Sequence, residues 1–190
     1  MDDLLADVIQ RANRYLTELP DRRVSPAVEA IANLKGLDVP LQDNPIEPAA
    51  VLAELDDIGS GATIASAGNR YFGFVTGGAL PATLAANMLA GVWDQNAVLE
   101  TASPVASFIE EVCRKWLVSL LGLPSQTAAG FVTGATMANF TGLAAARHAL
   151  LARQGWDVES RGLFGAPEIT VIVGEEVHVS LLKTLSMLGL

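Results

Sequence analysis

The sequence predicts an α/β fold, a parallel sheet with right-handed crossovers that is only begun within the chain, preceded by an α-helical N-terminal segment. Three observations predict it. First, Gly130-Phe-Val-Thr-Gly-Ala-Thr-Met-Ala-Asn139 reads as the end of a strand, a tight turn of small residues and the start of a helix running through Arg147. Second, Ile169-Thr-Val-Ile-Val173 is a short apolar, β-branched run, the mark of a strand buried on both faces of a parallel sheet. Third, Gly174-Glu-Glu-Val-His178-Val-Ser180 leads into a helix with Leu181, Leu182, Leu185 and Leu188 on one side. Strand, helix, strand, helix at this spacing gives crossovers onto one sheet. The chain divides into a helical segment with a pocket or interface loop over residues 1–100, and the first part of an α/β domain over residues 101–190.

The earlier elements follow from periodicity and punctuation. Leu4, Leu5, Val8, Ile9, Ala12, Tyr15, Leu16 and Leu19 recur at helical spacing, with Asp2 and Asp3 at the favourable end and Pro20 as a stop. One apolar stripe on a leading helix needs a surface to cover it, in its own domain or in a second subunit. Residues 20–47 read as irregular, punctuated by Pro20, Pro26, Pro40 and Pro45. Pro48 then opens a helix closed by Gly59, and Pro81 opens another that runs to about Val92. Ser103 and Pro104 form an N-cap and first-turn pair. The helix they start carries Val105, Phe108, Ile109, Val112, Trp116, Leu117, Leu120 and Leu121, ends at Gly122 and has Pro124 just beyond. Residues 153–168 read as a polar connection.

Composition narrows the functional classes. With 51% hydrophobic and 17% charged residues the chain has ample material for a core and is not of disordered type. A formal net charge of −9 argues against nucleic acid or an anionic membrane surface as partner. The single cysteine, Cys113, excludes an internal disulfide, fits a reducing, cytoplasmic compartment, and reads as a small core residue. The acidic start does not resemble a signal peptide. Uncharged windows at residues 71–93 and 116–146 are interrupted by glycine, proline and polar residues, so they read as buried turns of a soluble core rather than membrane spans.

The small-residue turn carries the candidate chemistry. Gly134, Ala135 and Thr136 at a helix start offer free backbone N–H groups, a hydroxyl and close approach, which is what a phosphate needs. The plain alternative is a βα turn capped by Thr133 or Thr136 with nothing bound. His178 falls just past the carboxyl end of a strand, where open α/β sheets bind ligands; a structural histidine is its alternative. Gly68-Asn-Arg-Tyr-Phe-Gly-Phe-Val-Thr-Gly-Gly-Ala-Leu-Pro81 is too apolar for a solvated loop and lines either an interface or a ligand pocket. Metal is not expected, since His148, His178 and Cys113 lack ligand spacing. No serine sits in a nucleophile elbow and no Gly-x-x-x-x-Gly-Lys-Ser/Thr loop occurs. His148 reads as a solvated helix position, and Glu175 and Glu176 as rim charges.

Together these blocks resemble the amino-terminal half of the group II pyridoxal-phosphate-dependent decarboxylases, the family of aromatic amino acid and glutamate decarboxylases. Tyr71-Phe-Gly-Phe-Val-Thr-Gly-Gly-Ala-Leu-Pro81, Trp93-Asp-Gln-Asn96 and Ser103-Pro104 are similar to that family's first conserved block. Phe131-Val-Thr-Gly-Ala-Thr-Met-Ala-Asn139 is similar to its phosphate-binding turn, and Val173-Gly-Glu-Glu-Val-His178-Val-Ser180 to its cofactor-stacking segment. The resemblance implies the start of the large domain of the aspartate aminotransferase-like fold and pyridoxal 5'-phosphate as cofactor. It implies that Gly134, Ala135 and Thr136 hold the phosphate and that His178, the catalytic candidate, stacks on the ring. Phe74, Val75 and Thr76 would line the substrate pocket, and Asn96 would reach a neighbouring subunit's site in a homodimer. Departures are Met137 in place of a frequent glutamate, Gly68-Asn69 in place of a frequent histidine–proline pair, and Ala135 in place of a second glycine.

What the resemblance implies chemically is loss of an amino acid's α-carboxylate as carbon dioxide. That chemistry needs a lysine to carry the cofactor and an acid beside the pyridine nitrogen. Lys35, Lys115 and Lys183 do not stand in the matching context. The expectation is therefore the N-terminal portion of a decarboxylase, inactive until joined by a lysine-bearing half. Two alternatives stand beside it: a non-catalytic dimerisation or regulatory piece, and another pyridoxal enzyme of the same fold such as an aminotransferase.

Overall fold

The apolar spacing of the first twenty residues folds into α1 (Asp2–Glu18), the first element of a computed structural model that describes residues 2–190. The chain forms two units, Met1–Asp94 and Gln95–Leu190. In the first unit α1 packs on α3 (Pro48–Gly59), which opens on Pro48 as its sequence predicts. The packed face of α1 carries Leu4, Val8, Arg11 and Tyr15, with Leu19 half-buried in the turn beyond it, whereas Leu5, Ile9 and Leu16 are exposed. The expected stripe is thus wider than its partner. Its covered edge is polar at the rim: Arg11 donates to Asp7 at 3.0 Å and to Asp56 at 2.9 Å, and Arg14 shares Asp56. The Arg22 guanidinium lies 4.4 Å from the centroid of the Tyr15 ring and donates to the Ser60 carbonyl.

Residues 20–47 are more ordered than their prolines suggest. They hold the short helix α2 (Val28–Asn33) and a 3-10 turn, Leu34–Leu37. Prolines at 26, 40 and 45 lie outside both, so none interrupts a helix interior. Helix α4 (Pro81–Trp93) closes with Asp94 in the left-handed region at φ 47°.

In the second unit the Ser103 hydroxyl is buried and accepts from the Ala106 N–H at 3.4 Å, capping α5 (Pro104–Leu120) as expected. The end of α5 is set by backbone alone. Leu123 N donates to the Val118 carbonyl at 3.0 Å and Gly122 N to that of Ser119 at 3.2 Å, with Gly122 at φ +64°. This is a Schellman closure. The same pair of bonds ends α6 (Ala135–Arg153) at Gly155 and α8 (Val179–Leu188) at Gly189.

Between α6 and α8 the polar connection contains a single-turn helix, α7 (Val158–Arg161), capped by the Asp157 carboxylate, which accepts from Glu159 N at 3.1 Å and Ser160 N at 3.4 Å. Val158 of that turn joins Leu151, Thr184, Leu185 and Leu188 in the buried core. The buried side of α8 is therefore 184, 185 and 188, with Leu182 outside it at 47% exposure. A spacing of three and four residues selects Thr184 over Leu182.

The expected strands do not form. Among the described residues no strand is present, and residues 128–133 and 168–174 carry no ladder hydrogen bonds. A strand exists through its partner's N–H and C=O groups, and β-branched composition supplies none. Nor is the second run buried on both faces, since Ile172 is 91% exposed. Among the described residues no helix is long and apolar enough to cross a membrane; window 71–93 is a loop followed by α4, and window 116–146 contains the turn at Gly122.

Candidate functional site

The candidate phosphate turn begins where the backbone runs extended through Gly134, at φ 170° and ψ 176°, and turns directly into α6. No side chain caps this helix, so neither Thr133 nor Thr136 is the cap that a plain turn would use. The first helical N–H to find its acceptor is that of Ala138, 3.0 Å from the Gly134 carbonyl. The N–H groups of Ala135, Thr136 and Met137 precede it and point out of the helix end, where the dipole is positive. A Cβ built on Gly134 would meet no atom within 4 Å, which leaves the space over the turn open.

His178 is placed by its own helix. It is the N-cap of α8, its Nδ1 accepting from the Ser180 N–H at 3.2 Å, an imidazole in a role usually filled by serine or aspartate. The Ser180 hydroxyl is 2.8 Å from the same Nδ1.

The two helix starts meet. Asn139 Nδ2 donates to Ser180 Oγ at 3.2 Å, and the fully buried Thr184 hydroxyl donates to the Ser180 carbonyl at 2.7 Å while lying 3.4 Å from the Thr136 carbonyl. Further along, Arg147 donates to the Leu188 carbonyl at 2.8 Å. Asn139 with Ser180 and Arg147 with Leu188 advance together, so α6 and α8 run in the same direction. Gly134, Ala135, Thr136 and His178 accordingly share one end of one helix pair. Asn139, Ser180 and Thr184 were not singled out by sequence reasoning, although Asn139 and Ser180 close the two motifs that contain the cradle and the histidine. Their polarity on otherwise apolar helix faces was the signal.

Other predicted residues are placed separately. Phe74 and Val75, in the first unit, both adopt the left-handed region, at φ 53° and 54°, with both side chains almost fully exposed; Thr76 follows them, also exposed. Asn96, in the second unit, accepts from the Val98 N–H at 3.1 Å in a local turn. Cys113 is half-buried rather than in the core; it lines an apolar groove with Trp116, Leu117, Leu120 and Phe131. His148 is exposed, as expected, and its Nδ1 lies 3.0 Å from Glu159 Oε1. Glu175 and Glu176 are exposed.

A family model described as the pyridoxal-dependent decarboxylase conserved domain matches residues 34–189. The chain belongs to this family. Two solved structures of mouse CSAD, one of them the apo form, match it with a TM-score of 0.86 at 21% identity. Each match covers 99% of this chain and 39% of the CSAD chain, so this chain spans about two fifths of the length of those structures. The likeness shows that this chain shares the fold of the matched part of those structures. Membership makes pyridoxal 5'-phosphate the implied cofactor, and the uncapped start of α6 with its open turn at Gly134 suits a phosphate ester.

Proposed function

We propose that this chain is the cofactor-phosphate and ring-stacking portion of a pyridoxal-phosphate-dependent amino acid decarboxylase. The observation that carries the reading is the hydrogen-bonded link from Asn139 to Ser180 to His178, which sets the imidazole beside the uncapped start of α6. When bound, pyridoxal phosphate supplies an electron sink for the pair released as the α-carboxylate leaves.

The chain's own residues bind and orient. Ala135 and Thr136 hold the phosphate through backbone N–H groups and the Thr136 hydroxyl, while Gly134 leaves room for it. His178 would stack on the pyridine ring and orient it. Phe74, Val75 and Thr76 of the first unit would face the substrate, and Asn96 of the second unit would reach the neighbouring subunit's site. The protein works as a cytoplasmic homodimer; the exposed Leu5, Ile9 and Leu16 edge of α1 and the single cysteine support this part. Lys35, Lys115 and Lys183 do not carry the cofactor, and Lys115 is instead 3.5 Å from Glu111 at the surface. Turnover then depends on a lysine supplied from outside residues 1–190.

The test is titration of the full chain with pyridoxal phosphate and, separately, with inorganic phosphate, followed by quenching of its tryptophans. Thr136→Ala should weaken both about tenfold, the worth of one charge-assisted hydrogen bond, and His178→Ala should weaken pyridoxal phosphate alone. Borohydride reduction should trap no single lysine. Binding that neither substitution alters would favour a pure interaction module and overturn the reading.

A further inference from the structure

The contacts around His178 say more than where it sits. The backbone N–H of Ser180 can only donate, so the Nδ1 it reaches at 3.2 Å must be an acceptor. The Ser180 hydroxyl, 2.8 Å from that nitrogen, then has to offer its proton as well. Its proton is free to do so: Asn139 Nδ2, which can only donate, reaches Ser180 Oγ at 3.2 Å and occupies a lone pair rather than the O–H. Three groups on two helices thus form a chain with one direction, Asn139 N–H to Ser180 O–H to His178 Nδ1. A histidine whose Nδ1 accepts in this way carries its proton on Nε2.

We propose that Ser180 and Asn139 are positioning residues that fix His178 as the Nε2–H tautomer and hold its ring plane. The 2.7 Å bond from the fully buried Thr184 to the Ser180 carbonyl keeps the serine in register for this task. The helix cap and the tautomer are therefore one device. The ring cannot turn to present Nδ1 outward without giving up the hydroxyl and the N–H together, leaving the start of α8 uncapped. The importance of this for cofactor orientation rests on the reading given under the proposed function; the tautomer itself does not.

The experiment uses the full chain with ¹⁵N-labelled histidine rings, observed through long-range proton–nitrogen correlations near neutral pH. His148→Gln identifies the His178 signals, since the chain has two histidines. The wild-type protein should show His178 with bare Nδ1 and protonated Nε2. Ser180→Ala should lower the ratio of the two tautomers about tenfold, as expected for loss of one hydrogen bond, and Ser180→Thr should restore it. Asn139→Ala should shift the ratio in the same direction as Ser180→Ala, with circular dichroism confirming that both variants keep their helices. A protonated Nδ1 in the wild type, or ring nitrogens unmoved by both substitutions, would overturn the proposal. A second arm separates it from the cradle reading. Ser180→Ala should weaken pyridoxal phosphate several-fold without changing inorganic phosphate, whereas Thr136→Ala weakens both. An equal loss of both ligands in Ser180→Ala would mean that Ser180 merely holds the helix end, and the positioning role would fall.

Discussion

The buried hydroxyl of Thr184 lies 3.4 Å from the carbonyl oxygen of Thr136 and donates at 2.7 Å to that of Ser180, so one side chain touches both candidate ligand-binding segments. Replacing it with valine keeps the volume and removes the polar link. Thr184→Val should cost about 1 kcal/mol of stability, read from chemical denaturation, and should weaken phosphate binding without abolishing it.

The register of α8 gives a second prediction. Leu185 is buried and Leu182 is 47% exposed. Leu185→Ala should therefore destabilise by about 2–4 kcal/mol, transfer and cavity terms together, while Leu182→Ala should cost less than about 1 kcal/mol. Equal effects in thermal or urea unfolding would contradict the observed face.

Two glycines separate conformation from crowding. Gly122 sits at φ +64° with nothing within 4 Å of a built Cβ, whereas at Gly189, φ +73°, that Cβ would come within 2.7 Å of Leu163 Cδ1. Gly122→Ala should cost about 1 kcal/mol for the left-handed backbone alone. Gly189→Ala should cost more, by whatever moving Leu163 requires, and a Leu163→Ala background should remove the excess.

Glu111 provides a pH test. Its hydrogen bond to Arg114, at 2.7 and 2.8 Å, lowers its pKa from 4.5 to about 2. Since the folded value lies below the unfolded one, the stabilisation is complete above about pH 4.5 and is lost as pH falls through about 2. The pair is exposed to solvent, so the effect is small and sensitive to salt. Glu111→Gln should lower the melting temperature at pH 7, and the gap from wild type should close between pH 4.5 and 2. A gap that is constant with pH would assign the effect to packing.

Helix boundaries were legible because their signals are local. Pro48, Pro81, and Ser103 with Pro104 each start the helix that their chemistry favours, and Gly122 stops one. The uncapped start of α6 was legible for the same reason: Gly134 has no side chain with which to cap the free N–H groups. Strands at 130–133 and 169–173 were not legible in this sense, because β-branched residues describe a surface that suits a sheet without providing the neighbouring strand. The single-turn α7 was hidden in a polar stretch, where Asp157, rather than any apolar period, organises it. The hydrogen bonds from Asn139 to Ser180 and from Thr184 to Ser180 depend on how α6 and α8 pack, which no window along one helix contains. The same holds for α1: periodicity located the stripe, but only packing on α3 shows that Leu5, Ile9 and Leu16 remain outside it.

Two helices that run in the same direction set like partial charges side by side at their starts, and α6 and α8 do so within reach of one hydrogen bond, 3.2 Å from Asn139 to Ser180. Antiparallel neighbours would cancel; these repel. An anion seated at that end relieves the repulsion, so inorganic phosphate should raise the melting temperature of this chain, and added sodium chloride should blunt the gain. The pair is, in effect, folded against a small electrostatic load that its ligand removes.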